Sequence, residues 1–182
     1  MEICRKNVLL HCCCAPCASS VLERLIQQYK VSVVFYNPNI EPFEEYDKRK
    51  KELIKLLQKM PLLSDVKLIE CEYDNAAFKH VALSLREEPE GGQRCRACFD
   101  LRLAETARLA KIGEYDIFAT TLSVSPHKDA KTLNEIGSEL ALQYGVKYLS
   151  SDFKKQDGHK RSIELSREYG LYRQSYCGCL NK

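Results

Sequence analysis

The stretch Asn7-Val8-Leu9-Leu10-His11-Cys12-Cys13-Cys14-Ala15-Pro16-Cys17 decides the fold. Its first five residues are a short, mostly apolar run of the kind that forms a strand buried on both faces. The chain leaves that strand through a cysteine-rich turn and enters an amphipathic run over 18–29. Strand, turn and helix then recur. Further β-branched and aromatic runs at 31–36, 66–70, 115–120 and 146–149 alternate with apolar residues at helical spacing over 43–57, 95–112, 129–144 and 161–169. Strands separated by helices of this length argue for an α/β fold, a parallel sheet with helices on both faces, over a single domain spanning 1–182. Gly145 and Gly170 sit where helix C-caps are expected.

Open parallel sheets build their sites beyond the carboxyl ends of the strands. Each predicted strand runs into polar, turn-rich sequence at that end: Cys12–Cys17, Asn37-Pro38-Asn39-Ile40-Glu41-Pro42, Cys71-Glu72-Tyr73-Asp74, Thr120 to Lys128, and Ser150-Ser151-Asp152. That edge is the expected active site.

The chain has 182 residues and 10 cysteines, which fall into the Cys12–Cys17 group, Cys95-x-x-Cys98 and Cys177-Gly178-Cys179, with Cys4 and Cys71 apart. Such groups either pair as disulfides or gather around metal. A charged start, Met1-Glu2-Ile3-Cys4-Arg5-Lys6-Asn7, has no apolar signal-peptide core, and no run is long enough to span a bilayer. A cytoplasmic protein is expected, and there dense cysteine points to metal or redox chemistry. A chain of this length also buries a full core without staples.

Cys95 and Cys98 open a predicted helix on one face, where the helix amino end and the flanking Arg94 and Arg96 favour thiolates. Four thiolates hold a [4Fe–4S] cluster or a tetrahedral zinc, and this edge offers more thiols than one site uses. Cys13, Cys14, Cys17, Cys95 and Cys98 therefore read as metal ligands, and Cys4, Cys12 and Cys71 as small apolar packing residues. The excess suggests a second metal or a redox dithiol. Cys177-Gly178-Cys179 fits either, because the glycine lets both sulfurs face one point. The net charge of +3 is too mild to announce a nucleic-acid partner. Basic residues gather at Lys48–Lys51, between Arg94 and Arg108 and between Lys154 and Arg173; they suit a large anionic substrate or solvated helix faces equally.

Over nearly its whole length the chain resembles the QueH family of epoxyqueuosine reductases. The resemblance rests on Leu10 to Cys17; on Tyr36 to Pro42 with Glu45-Tyr46 and Arg49; on Gly92-Gln93-Arg94-Cys95-x-x-Cys98-Phe99; on Thr120-Thr121-Leu122 with Ser125-Pro126-x-Lys128; and on Tyr172 to Cys179. It implies a Rossmann-like sheet similar to the adenine-nucleotide alpha-hydrolase-like (HUP) fold, with the metal site at the carboxyl ends of the strands. It implies the last step of queuosine biosynthesis, removal of the epoxide oxygen from epoxyqueuosine in tRNA, and a [4Fe–4S] cluster with a second iron ion beside it. Carried over, Cys13, Cys14, Cys95 and Cys98 are expected to hold the cluster. Cys17 is expected at the second iron with Cys177 and Cys179, or the latter two form a redox pair that closes to a disulfide.

Asn37, Asn39, Glu45 and Arg49, with Lys128 and Tyr176, are the candidate substrate contacts, though Glu45 and Arg49 also fit an i, i+4 pair on a solvated helix. His11, Tyr73, Tyr176 and Lys128 are candidate proton donors, His11 being equally suited to a buried structural role. The electron donor has no signature in the sequence, and neither does the oligomeric state. Two competing readings are an ATP-dependent tRNA sulfur-transferase carrying a cluster and a non-enzymatic metal-binding redox sensor. The first wants a glycine-rich phosphate loop where Cys12–Cys17 stands. The second leaves the polar segments at the other strand ends unexplained.

Overall fold

In a computed structural model that describes residues 5–179, the elements in chain order begin β1 (Asn7–His11), α1 (Ala15–Leu25), β2 (Lys30–Val34), α2 (Phe43–Lys59), β3 (Lys67–Ile69) and α3 (Asn75–Ala82). They continue α4 (Gln93–Ile112), β4 (Ile117–Thr120), α5 (Ala130–Tyr144), β5 (Lys147–Tyr148) and α6 (Gly158–Glu168). Cys4 lies outside the described residues. All strand pairs are parallel, in the order β3-β2-β1-β4-β5.

The side-chain alternation of β1 explains the two helical layers. Val8 and Leu10 point to one face and join Val21 and Leu22 of α1, Leu53 and Leu56 of α2 and Leu165 of α6. Leu9 points to the other and joins Leu103 and Ala107 of α4 and Leu133 and Ile136 of α5. Val8, Leu9 and Leu10 are all fully buried, so a strand that reads as continuously apolar is what a covered central position requires.

The expected α/β architecture is present, with boundary differences that have physical causes. Helix α1 starts earlier than position 18 because Pro16 occupies its first turn, where a missing N–H costs nothing. Helix α3 was not expected: it is short, capped by the Asp74 side chain accepting from the Ala77 N–H at 3.1 Å, and anchored by buried Phe78 and Ala82. Gly145 (φ 65°) and Gly170 (φ 59°) take the left-handed conformation as expected.

The register pairs His11 with Val34 on one side and with Thr120 on the other. Three strands thus end level, and the segments after them leave the sheet together. Connections diverge to opposite sides of the β1/β4 boundary, which makes a crevice there. That crevice holds the site.

Candidate metal and substrate site

Beyond β1, Cys13, Cys14 and Cys17 bring their three sulfurs within 4.8 Å of one another, at the amino end of α1. Cys13 and Cys14 are 3.8 Å apart. Thr121, leaving β4, fixes this turn from the side: its hydroxyl accepts from the Cys13 N–H at 3.2 Å and lies 3.5 Å from the Cys13 sulfur. Hydrogen bonding within the triad, with Cys14 and then Cys17, holds the Cys13 thiol well below the usual range. Cys14 is pushed up to about 12, chiefly by its hydrogen bond to Cys13, and Cys17 is raised by the same arrangement. Cys12 points away into the core, fully buried, as a packing residue should. Cys71 is half-buried at the end of β3, against the second core face.

The triad lines a cavity of about 470 Å³ with Arg49, Arg102, Lys128, Tyr176 and Cys177 on its wall. An adjoining cavity of about 540 Å³ is lined by Cys95, Cys98, Cys177 and Cys179. Cys177 and Glu90 line both. Seven cysteines from three distant chain segments therefore converge, and the C-terminal tail forms the wall between the cavities. Among the described residues the cysteines are thiols rather than disulfides. In the second cavity the Gly91 N–H donates to the Cys95 sulfur at 3.2 Å. Burial pushes the Cys98 thiol up to about 11, with the Arg102 guanidinium pulling it the other way.

Arg49 holds the tail in place. It is 2% exposed, donates to the Cys177 carbonyl at 2.9 Å and the Tyr176 carbonyl at 3.2 Å, and pairs with Glu45 at 2.7 Å. Glu45 in turn accepts from the Tyr172 hydroxyl. The pair that also suits a solvated helix face is thus a buried clasp. Gly178 completes it: the Glu41 N–H donates to its carbonyl at 2.9 Å, its φ is +116°, and an added Cβ would lie 2.9 Å from Ile40 Cγ1 and 3.2 Å from Arg49 Nη1.

The other expected residues divide. Lys128 and Tyr176 face the first cavity. Burial opposes the charge of Lys128, but Cys177 and Cys13 outweigh it and raise its pKa, so it is an ammonium at neutral pH. Asn37, Asn39 and Glu45 stand behind the wall. Asn37 donates to the Cys12 carbonyl at 2.9 Å and accepts from Arg102. Asn39 is 1% exposed, and neither of its amide atoms has a hydrogen-bond partner among the described residues.

His11 is structural. Its Nε2 faces the Tyr36 carbonyl at 3.0 Å, which only accepts, so Nε2 carries the proton and Nδ1 accepts from Thr120 at 3.0 Å. Burial, reinforced by Arg102, lowers its pKa to about 3. The Tyr73 hydroxyl is occupied by the Ile40 carbonyl at 2.7 Å.

Sequence reasoning missed Arg102. It lies on the buried stripe of α4 with Cys98, Phe99, Leu103 and Thr106, and a cation on an apolar stripe was the available signal. The competing sulfur-transferase reading gains nothing from the β1 turn, whose space is filled by thiols where a nucleotide phosphate would need glycine backbone.

Comparison with known proteins settles the family. A profile described as Epoxyqueuosine reductase QueH matches residues 8–181. The chain belongs to the QueH family. It is 42% identical over 181 residues to the epoxyqueuosine reductase QueH of Streptococcus pyogenes serotype M1, covering 98% of this chain and 71% of that one. The Staphylococcus epidermidis relative is 44% identical over 180 residues, covering 97% and 76%. The Thermotoga maritima relative, 34% identical over 175 residues, is covered to 88% of its length and this chain to 96%.

Proposed function

We propose that the protein is an epoxyqueuosine reductase that removes the epoxide oxygen from epoxyqueuosine in tRNA, working in the cytoplasm with thiolate-bound iron. The observation that carries this reading is the convergence of Cys13, Cys14, Cys17, Cys95, Cys98, Cys177 and Cys179 on two adjoining cavities in a member of this family. The donor chemistry fits the group: sulfur is the ligand of iron–sulfur clusters, and a helix amino end, an N–H to sulfur bond, buried Arg102 and half-buried Lys128 favour its ionised form.

Cys13 and Cys14 from the β1 turn and Cys95 and Cys98 from α4 would hold a [4Fe–4S] cluster. Cys17, with Cys177 and Cys179, would hold a second iron, or the last two would act as a dithiol. A cluster supplies electrons singly, and an iron with an open position supplies a Lewis acid.

The reaction needs two electrons and two protons: both C–O bonds of the epoxide break, a C=C bond forms, and the oxygen leaves as water. Closure of the Cys177/Cys179 dithiol to a disulfide releases two electrons and two protons and balances it. An external electron donor then reopens the pair. Lys128 and Tyr176 are the proton-bearing groups on the wall of the first cavity, and Lys128 is our choice for protonating the leaving oxygen. Arg49 and Glu45 serve the reaction by docking the tail, and Asn37 by holding Arg102 and the Cys12 carbonyl.

One spacing favours a second partition. Tetrahedral thiolate ligation at about 2.3 Å puts sulfurs about 3.8 Å apart, which is the Cys13–Cys14 separation of 3.8 Å. On that reading the β1 triad takes a lone ion and the four cysteines of the second cavity take the cluster. Iron and sulfide counts on Cys17→Ser and Cys179→Ser variants separate the two. Loss of one iron with sulfide retained in Cys17→Ser fits both. Loss of sulfide in Cys179→Ser supports only the second. A Cys179→Ser protein with its full metal content and undiminished turnover would remove the tail pair from the mechanism.

A further inference from the structure

Arg102 is a buried cation without a carboxylate. Its side chain is 2% exposed; its polar neighbours are the Asn37 amide oxygen and the Cys98 sulfur at 3.9 Å, and its Nε has no hydrogen-bond partner among the described residues. No acidic group lies within ion-pair distance of it among those residues, although Arg49, buried to the same degree, has Glu45 at 2.7 Å. A buried guanidinium left uncompensated is strongly destabilising, so retained buried charges are paired or face a charged group. The groups here that become negative when they bind metal are sulfurs: Cys98, 3.9 Å from the guanidinium, lines the second cavity, and Arg102 itself lines the first with Cys13, Cys14 and Cys17.

We infer that Arg102 is the built-in counter-ion of the thiolate centre, a positioning residue that sets the centre's reduction potential and stabilises its anionic, metal-loaded state. This rests on the reading that the thiols hold iron. Position supports it. Arg102 lines the first cavity and reaches the Cys98 sulfur of the second at 3.9 Å, so one charge faces both thiol groups. Asn37 fixes the guanidinium by accepting from it while its own amide N–H donates to the Cys12 carbonyl at 2.9 Å. The same asparagine therefore ties the cation to the start of the triad. A charge held in low dielectric favours the more negative oxidation state of whatever it faces, so Arg102 raises the potential and makes the centre easier to reduce.

The test uses the full chain, anaerobically loaded with iron and sulfide, as wild type, Arg102→Gln and Arg102→Lys. Iron and sulfide per chain are counted first; a wild type that binds no iron overturns the underlying reading and the Arg102 inference with it, whereas a loaded protein with an unmoved potential leaves that reading standing. With wild type and variant loaded, spectroelectrochemical titration should place the Arg102→Gln midpoint lower by at least a tenfold change in the reduction equilibrium, about 59 mV for one electron. Arg102→Lys should recover most of that shift. An Arg102→Gln protein that loads fully and titrates at the wild-type potential overturns the inference. If Arg102→Gln does not fold, Arg102→Lys decides alone: a potential close to wild type supports a role for the charge, and a full tenfold shift despite the retained charge refutes it.

Discussion

Replacing Gly178 with alanine should undock the C-terminal tail while leaving the sheet intact. The residue sits at φ +116°, where a non-glycine side chain costs of order 1–3 kcal/mol. The new Cβ would also meet Ile40 Cγ1 at 2.9 Å, Ile40 Cα at 3.3 Å and Arg49 Nη1 at 3.2 Å. Ile40 is buried in the core and Arg49 is bound to two tail carbonyls, so neither retreats cheaply. Adding part of one charge-assisted hydrogen bond, about 1 kcal/mol, the docked tail should lose about 2–4 kcal/mol, a tens- to several-hundred-fold rise in the undocked fraction. Peptide-resolved alkylation of the metal-free protein reads that fraction at Cys177 and Cys179, with Cys12 as the buried internal reference. Alkylation at the two tail cysteines should accelerate at least tenfold in Gly178→Ala, Cys12 should stay protected, and turnover should fall to a similar degree. Tail alkylation and turnover both within twofold of wild type would refute the reasoning that this glycine shapes the site.

Arg49→Ala should loosen the same tail and also leave the half-buried Glu45 without its cation, so it should cost about 3 kcal/mol in denaturant unfolding. Gly137→Ala on α5 puts a Cβ 2.4 Å from the Tyr148 ring; overpacking of about 1–3 kcal/mol should lower Tm by several degrees by calorimetry, with the iron content of the loaded protein unchanged. Lys128→Gln should keep its loaded iron and lose turnover by at least tenfold, whereas Lys128→Arg should recover part of it; equal turnover in all three proteins would remove Lys128 as proton source. Arg161 joins α6 to Glu23 of α1 through bonds of 2.8 and 2.9 Å and holds the Glu23 carboxyl below its usual range. Stability from a depressed carboxyl is present above the unfolded value of 4.5 and is lost as pH falls through the folded one. The small Tm gap between wild type and Arg161→Gln at pH 7, worth under about 1 kcal/mol for so exposed a pair, should therefore close below about pH 4.5.

The sheet was legible because its central strand reads as continuously apolar and its partners recur at helix-length intervals. Helix α3 was not, because its signal is two buried residues and one capping aspartate rather than a full amphipathic period. Of the site, the three thiol groups and Lys128 could be read directly, since cysteine and lysine in the turns after β1 and β4 have few bland uses. Which thiols lie together could not: the tight approach of Cys17 to Cys13 and Cys14, and the tertiary path of residues 172–179 that brings Cys177 to both cavities, have no signature in spacing. Spacing within one segment says nothing about distance to another. Arg49 and Arg102 share a lesson. Each lies on the apolar stripe of its helix, Arg49 with Tyr46, Leu53 and Leu56 and Arg102 with Phe99 and Leu103, and a cation there marks a buried partner. For Arg49 the partner is the tail, and Glu45 beside it in sequence hides the signal as an ordinary surface pair. Asn37 and Asn39 read as substrate contacts from their turn-rich setting at a strand end, which says nothing of burial, and both side chains are buried.

The central claim is that this thiol-lined crevice carries out epoxide deoxygenation in tRNA. Incubating the anaerobically iron-loaded protein with tRNA bearing epoxyqueuosine and a low-potential one-electron reductant, then analysing the released nucleosides by mass, tests it most directly. The account predicts loss of one oxygen mass from the modified nucleoside, dependent on iron and abolished in Cys95→Ser. Unchanged epoxyqueuosine with a fully loaded protein, or conversion that proceeds equally well without iron, would contradict it.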